Sequence, residues 1–139
     1  MPPVGTQQQI KENKNMADFD PETLALPERY GLMISIIQPR PIAWVSTIGK
    51  TGSLNLAPFS FFTGITAKPM TVCFCPVRNR EGKKKDTLIN VEDTKHFVVN
   101  VATEETAQKM NQTSADYSYW VNEFEKSKST FYPKVDLQL

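Results

Sequence analysis

Small hydroxyl and amide side chains interrupt an otherwise apolar stretch near the middle of the chain. Two apolar runs, 41–48 and 53–58, flank Gly49-Lys50-Thr51-Gly52, a pattern that predicts a β-hairpin. The polar residues in and just after these runs are Ser46, Thr47, Ser53, Asn55 and Ser60. Because buried hydroxyls and amides need hydrogen-bond partners, such a cluster either pairs within the sheet or faces a flat polar ligand. Ala57-Pro58 lacks side-chain bulk and one backbone donor, which leaves room for a flat ring, and we favour the ligand.

A basic loop is the second candidate site. Residues 78–85 hold five bases and one acid around Gly82, and they precede a predicted helix over 87–93 with Asp86 as its cap. Backbone N–H groups at a helix N-terminus attract anions. Lys85 as a point charge and Thr87 through its hydroxyl are therefore placed to hold a phosphate. The alternative is a solvated surface loop, which is what most lysine runs are.

Side-chain catalysis has no support in the sequence. No serine lies in a nucleophile elbow, no carboxylate pair stands out, and neither a Walker loop nor a Gly-x-Gly-x-x-Gly fingerprint is present. His96 has no cysteine or carboxylate at metal-ligand spacing, so we expect no metal site. Cys73 and Cys75 are expected to be free and mostly buried thiols. No catalytic side chain is predicted, and any chemistry would come from a bound cofactor.

Composition narrows the class of protein. A chain of 139 residues is long enough for one hydrophobic core, and a formal charge of +1 gives no bias toward nucleic acid or an anionic membrane. The apolar runs are too short for a transmembrane helix, and the first residues do not read as a signal sequence. We therefore expect a cytoplasmic protein whose ligand is a small molecule.

The order of elements predicts a β-dominated α+β fold. A disordered tail is expected over 1–20, followed by one domain over 21–139. Strands are predicted at 32–37, 41–48, 53–58, 59–66 and 70–75 with no helix between them. A strand over 95–101 and helices over 87–93, 104–110 and 116–125 follow. Consecutive short strands are typical of an antiparallel barrel or sandwich.

Four segments, in order, resemble the flavin reductase-like, FMN-binding split-barrel family. They are RPIAWVST at 40–47, GSLNLAPFSFF at 52–62, KDTLIN at 85–90 and FVVN at 97–100. The resemblance covers about residues 30–117 of the chain. It implies a Greek-key antiparallel split barrel that binds FMN without a covalent bond, usually as a homodimer with the flavin near the subunit interface. It also implies NADH or NADPH as the co-substrate.

The resemblance also implies roles for individual residues. The hairpin would line the isoalloxazine ring and the ribityl chain, and Lys85 and Thr87 would hold the phosphate with Arg78 or Arg80. The implied cofactor-binding residues are Ser46, Thr47, Asn55, Ala57, Pro58, Ser60, Arg78, Arg80, Lys85 and Thr87. The hairpin and the basic loop would thus be two halves of one FMN site.

The end of the chain departs from the family pattern. Residues 126–139 do not contain the further strands that close the family's barrel, so we expect an incomplete barrel with exposed strand edges. Two functions remain open. One is an FMN-dependent oxidoreductase that passes hydride from NAD(P)H to flavin, or through bound flavin to an acceptor. The other is a non-catalytic flavin-binding or dimerisation module, or an inactive truncated product. A pyridoxamine-phosphate oxidase-like enzyme would need a different phosphate-binding pattern.

Overall fold

The computed structural model describes residues 18–79, 81–118, 120–129 and 137–138. The chain divides into two units, Met1–Gln38 and Pro39–Leu139. Only the last three residues of the tail predicted over 1–20 are described, so that prediction and the domain limits stay predictions.

The first unit contains helix α1, Leu26–Ile36, so the strand predicted over 32–37 is wrong. Pro27 lies in the first turn, and the Glu28 carboxylate accepts a hydrogen bond of 2.8 Å from the backbone N–H of Ala25. A short apolar run suits a buried strand and a helix equally well. The residues that start a helix, Pro27 and the Ala25–Glu28 cap, distinguish a helix from a strand here, whereas the hydrophobicity of the run does not.

The second unit begins with the predicted hairpin. Strand β1, Ala43–Ile48, pairs antiparallel with β2, Leu54–Phe59. In the connecting turn the N–H of Gly49 donates to the carbonyl of Ser53 at 2.8 Å, and Gly52 has a φ of 85°, a conformation that favours glycine. The hairpin prediction is confirmed.

The remaining strands form two sheets. Strand β3, Phe62–Ala67, pairs with β4, Met70–Phe74, in a two-stranded antiparallel sheet. Strand β5, His96–Val101, pairs with β1, and β6, Leu137–Gln138, pairs with β5, which gives the order β2-β1-β5-β6. Among the described residues these sheets do not close on each other, so the strands form an open mixed α/β fold rather than the full barrel.

Helix α2, Asp86–Thr94, follows the basic loop. Lys85 occupies the cap position and Asp86 is the first helical residue, so the prediction of Asp86 as the cap is wrong. The N–H groups of Leu88 and Ile89 donate to the carbonyl of Lys85 at 2.9 and 3.1 Å, which starts the helix one residue earlier.

Two short helices complete the described chain. A 3₁₀ turn at Glu104–Thr106 continues into α3, Ala107–Gln112, near the predicted helix over 104–110. Helix α4 covers only Glu123–Ser127, so the helix predicted over 116–125 is wrong in its extent. The Asn122 side chain accepts a hydrogen bond of 3.0 Å from the N–H of Phe124, and this cap sets the start of α4.

The four-stranded sheet has buried residues on both faces: Trp44 and Leu56 are fully buried on one, and a cluster of apolar residues packs on the other. Ala43, Val45, Phe59 and Phe97 are buried together there. The Phe74 ring of β4 lies 5.3 Å from Phe59 and 5.0 Å from Phe97, centroid to centroid, and so joins the two sheets.

Both cysteines are free and exposed, so the prediction of mostly buried thiols is wrong. Cys73 lies on β4 and Cys75 follows that strand, where the two-stranded sheet leaves most side chains open to solvent. Strand alternation alone does not show whether a given face is covered.

None of the helices in the described part of the chain is both long and apolar enough to cross a bilayer.

Candidate functional site

A cavity of about 250 Å³ opens between β2, the start of α2 and the segments around α4. Its described lining residues are Asn55, Ala57, Pro58, Phe59, Asn79, Glu81, Lys84, Lys85, Asp86, Thr87, Thr113, Ser114, Ala115, Asp116, Tyr117 and Glu123. Small-molecule pockets start at about 300 Å³, so a ligand of nucleotide size would fill this cavity and extend beyond it.

The cavity brings together the two segments that the sequence singled out. Asn55, Ala57 and Pro58 line it from β2, and Lys85 and Thr87 line it from the start of α2. These segments are separated along the chain, and only the packing of α2 against the hairpin places them side by side.

Other predicted site residues lie elsewhere. Ser46, Thr47, Ser60 and Arg78 are described, but they do not line this cavity. Arg78 is exposed, and its guanidinium donates to the carbonyl of Gly82 at 2.8 Å. Arg80 lies outside the described residues, so its predicted role stays a prediction.

Ser46 and Thr47 point to opposite faces of β1, as neighbours in a strand must. The Ser46 hydroxyl accepts a hydrogen bond of 3.1 Å from the Asn100 amide. The Thr47 hydroxyl accepts from Asn55 at 3.3 Å and from Asn90 at 3.1 Å. Both hydroxyls therefore have hydrogen-bond partners within the protein. This agrees with the alternative that these polar residues pair within the sheet and do not face a ligand.

A buried polar network supports the wall of the cavity. The Asn55 amide donates to the Thr87 hydroxyl at 2.8 Å, and Asn90 reaches the same Thr47 hydroxyl that Asn55 contacts. Asn55, Thr87, Asn90 and Thr47 are all buried. The network ties the first turn of α2 to the hairpin. Since Thr87 Oγ1 accepts the bond from Asn55, its own proton can be donated to another oxygen.

The N-terminus of α2 faces the cavity with its first residues. The helix has nine residues, and the N–H groups of Asp86 and Thr87 in its first turn have no acceptor within the helix, whereas that of Leu88 donates to the Lys85 carbonyl. The positive end of the helix dipole lies at the same place. Lys84, Lys85 and Thr87 line the cavity there, so backbone donors, ammonium groups and a hydroxyl converge.

Acidic residues offset much of the positive charge of the basic loop. Lys83 pairs with Glu81 at 2.7 Å, Lys84 pairs with Glu92, and Lys85 lies 3.8 Å from Asp116. The described lining of the cavity includes two lysines, 84 and 85, and four acids, which are Glu81, Asp86, Asp116 and Glu123. The local charge is thus less positive than the sequence of the loop suggested.

Two of these acids have perturbed ionisation. The pKa of the Glu123 carboxyl is raised, mainly by burial and also by the negative charge of nearby Asp86. Hydrogen bonds from its own N–H and from that of Leu56 lower the pKa and offset part of this effect. Burial also raises the pKa of the Asp86 carboxyl, while Lys85 lowers it. Both groups favour the neutral form more than an exposed carboxyl does.

Sequence reasoning missed the third wall of the cavity. Glu123 and the segment Thr113 to Tyr117 line it, although no local pattern marks them as a site. Thr113 is held by a bond of 2.9 Å from the indole Nε1–H of Trp44, which is itself fully buried. Lys84, Asp86 and Asn79 lie within or next to the basic loop that the sequence did identify.

Residues 37–135 match the family described as the flavin reductase like domain. The match covers most of the chain, and this protein belongs to that family.

Solved structures agree with this assignment. The chain is 32 % identical to nitrilotriacetate monooxygenase component B from Bacillus cereus, with a TM-score of 0.76 over 81 % of this chain and 55 % of that one. It is 27 % identical to the 2-nitrobenzoate 2-nitroreductase NbaA of Pseudomonas fluorescens, with a TM-score of 0.67 over 80 % of this chain and 52 % of that one. The fold thus matches flavin reductase split-barrel structures over about half of their length.

Curated relatives show the same partial coverage. An uncharacterized protein of Aquifex aeolicus is 49 % identical over 102 residues, which are 73 % of this chain and 52 % of the relative. YwrF of Bacillus subtilis, also uncharacterized, is 33 % identical over 83 % of this chain and 55 % of its own. The chain spans about half the length of the curated relatives it matches.

Proposed function

We propose that this protein binds FMN and acts as an NAD(P)H-dependent flavin oxidoreductase. The observation that carries the proposal is the shared cavity, where Asn55 to Pro58 of β2 meet Lys84 to Thr87 at the start of α2 in a chain of the flavin reductase-like family. The proposal includes a homodimer and a cytoplasmic location, as in the family expectation.

The phosphate of FMN fits the end of the cavity next to α2. Lys84 and Lys85 supply positive charge, and Thr87 supplies a hydroxyl that can donate. The first-turn N–H groups of α2 add backbone donors in a fixed direction. A phosphate needs several donors from different directions, and this donor set provides them.

The flavin ring fits the β2 side. Ala57 is small, and Pro58 has no N–H group, so this part of the strand is flat and poor in donors. The cavity of about 250 Å³ holds only part of FMN, so the ring extends over the open side. The ring's outer face then stays accessible to a nicotinamide.

Bound FMN supplies hydride acceptance, and the protein's own residues bind and orient it. The network of Asn55, Thr87 and Thr47 keeps the two walls at a fixed spacing. Thr47 acts behind the wall, because it is buried and bonded to Asn55 and Asn90. Ser46 lies on the other face of β1 and bonds Asn100 instead. Ser60, Arg78 and Arg80 stay candidates for contacts with parts of FMN that extend beyond the cavity.

A second candidate function is a flavin-binding or dimerisation module without turnover. The open sheets of the described residues favour this alternative. Incomplete sheets leave strand edges that a second copy can cover. Such a module would bind flavin but would lack the surface that positions NAD(P)H.

A flavin titration followed by a turnover assay tests both candidates. Purified protein is titrated with FMN by flavin fluorescence, then mixed with NADH or NADPH and followed at the nicotinamide absorption. Lys85→Met should weaken FMN binding about tenfold, the loss expected for one charge-assisted hydrogen bond. Lys68→Met, in the turn between β3 and β4, is the matched control and should bind as the wild type does.

The outcomes separate the candidates. FMN binding with NAD(P)H oxidation supports the oxidoreductase, and FMN binding without oxidation supports the module. A protein that stays colourless, leaves FMN fluorescence unchanged and is monomeric by gel filtration would refute both.

A further inference from the structure

Glu123 is a buried carboxylate that closes one side of the cavity. Its residue is only 6 % exposed, and it lies in the first turn of α4. Its Oε2 accepts a hydrogen bond of 3.2 Å from the backbone N–H of Leu56 on β2. Among the strands that the structure describes, β2 is at the edge of its sheet, and Glu123 supplies an acceptor on that edge.

The position of Leu56 links Glu123 to the proposed flavin wall. Leu56 lies between Asn55 and Ala57, and both of those residues line the cavity with Glu123. A contact to the Leu56 backbone therefore sets the position of the strand segment against which the ligand would lie.

Charged groups lie on elements packed against α4 and along the cavity that Glu123 lines. Strand β2 carries no titratable side chain, and α3 contributes Lys109, whose ammonium donates to the carbonyl of Lys128 at 3.3 Å. Asp86 faces Glu123 from the start of α2. The other titratable groups on the cavity are Glu81, Lys84, Lys85, Asp116 and Tyr117. When all four acids are ionised they outnumber the two lysines, so they weaken the attraction that the lysines and the first turn of α2 exert on a phosphate.

We propose that Glu123 is a positioning and specificity residue of this cavity: it holds the outer edge of β2, and its negative charge limits affinity for a flavin that carries phosphate. The inference rests on the proposed flavin binding. Proton uptake by Glu123 removes that charge while the second carboxyl oxygen remains an acceptor. FMN binding is therefore coupled to proton uptake, whereas binding of riboflavin, which has no phosphate, is not.

The direction of the perturbed ionisation agrees with this role. Burial and Asp86 both raise the pKa of Glu123, so its neutral form is populated closer to neutral pH than that of an exposed glutamate. A dianionic phosphate beside it raises that pKa further, because the charged carboxylate is then disfavoured.

The test compares FMN and riboflavin as ligands of the full chain. Glu123→Gln keeps an oxygen that can accept from Leu56 but removes the charge. At about pH 8, FMN should bind this variant about three- to tenfold more tightly than the wild type. A gain of this size is expected when one negative charge, partly screened by solvent, is removed from the neighbourhood of the phosphate. Riboflavin affinity should change by less than about twofold, because it offers no phosphate for the removed charge to repel. Comparing variant and wild type on the same ligand cancels the pH effects that do not involve Glu123.

The pH profile separates a charge effect from a structural one. The gain in FMN affinity should shrink as pH falls through the raised pKa of Glu123, because the wild-type carboxyl then becomes neutral as well. Glu125→Gln is the matched control, since Glu125 is exposed on the same helix and its carboxylate accepts from Asn122 at 3.2 Å. That variant should bind both flavins as the wild type does.

Equal changes for FMN and riboflavin, or no change at any pH, would overturn the inference while leaving flavin binding intact. Absence of FMN binding by the wild type would overturn the proposed function as well. If Glu123→Gln does not fold, Asp86→Asn gives the second test, because it removes the neighbouring charge from the same cavity. Asp86→Asn should also bind FMN more tightly than the wild type does while its riboflavin affinity stays nearly unchanged. If its ratio of FMN to riboflavin affinity equals that of the wild type, the inference is wrong.

Discussion

The side-chain amide of Asn55 donates a hydrogen bond of 2.8 Å to the hydroxyl of Thr87. This bond joins the second strand of the hairpin to the first turn of α2, 32 residues further along the chain. Asn55 also reaches Thr47 across the hairpin at 3.3 Å. One buried amide thus fixes the spacing between the two walls of the candidate flavin site.

Replacing Asn55 by alanine should destabilise the protein. The change leaves the buried hydroxyl of Thr87 without this donor, a loss of about 1–3 kcal/mol in the free energy of unfolding. Urea denaturation measures the change, and Asn111→Ala on the exposed side of α3 is the control. A loss no larger for Asn55 than for Asn111 would show that the network does not hold the hairpin to α2.

Stability should depend on pH through Glu123. Its pKa is raised in the folded protein, so the native state binds more protons than the unfolded chain between about pH 4.3, the ordinary value, and the raised pKa. The stability that this proton binding contributes is fully present below the ordinary pKa and is lost as pH rises through the raised one. Glu123→Gln should therefore gain stability relative to the wild type as pH rises through that window.

The measurement is the difference in unfolding free energy between Glu123→Gln and the wild type over the acidic to neutral range. Glu125→Gln, on the exposed side of the same helix, is the control variant. A difference that stays constant with pH would mean that Glu123 ionises as an ordinary exposed carboxyl does.

The two tryptophans should give separate fluorescence signals. Trp44 is 0 % exposed and its indole N–H donates to Thr113, whereas Trp120 is 80 % exposed. Acrylamide should quench Trp120 strongly and Trp44 weakly in the native protein. The Trp120→Phe variant should retain a blue-shifted, poorly quenched emission, and a red-shifted emission from it would contradict the buried position of Trp44.

Both thiols should react in the folded protein. Cys73 and Cys75 are free and exposed, so a thiol reagent such as DTNB should label both without denaturant. Burial, together with the charge and hydrogen bond of Cys73, raises the pKa of the Cys75 thiol. The labelling of Cys75 should therefore accelerate in Cys73→Ser at fixed pH. Labelling only after denaturation would show that β4 is covered.

Local sequence signals predicted the elements that form from neighbouring residues. The hairpin follows from two apolar runs around Gly49 to Gly52, and α2 and β5 lie within a residue or two of their predicted bounds. The early apolar run did not distinguish strand from helix, and the Ala25–Glu28 cap made it α1.

The cavity was only half predictable. Asn55, Ala57, Lys85 and Thr87 belong to segments with local patterns, and these segments do meet. Glu123 carries no such pattern, because its burial and its partner Leu56, 67 residues away, arise only from tertiary packing. The charge of the basic loop was overestimated for the same reason, since Glu92 and Asp116, which pair with it, lie outside the loop.

The central claim is that β2 and the start of α2 hold one FMN between them, and a two-dimensional ¹⁵N–¹H NMR titration with FMN tests it most directly. The account predicts that the largest shift changes, at saturating FMN, occur at the amides of Asn55, Ala57, Asp86 and Thr87. The Lys85→Met variant should need a higher FMN concentration than the wild type to reach the same shift changes. The Lys68→Met variant should need the same concentration as the wild type. Spectra that stay unchanged, or that change mainly at β3 and β4 while the β2 and α2 amides do not move, would contradict the account.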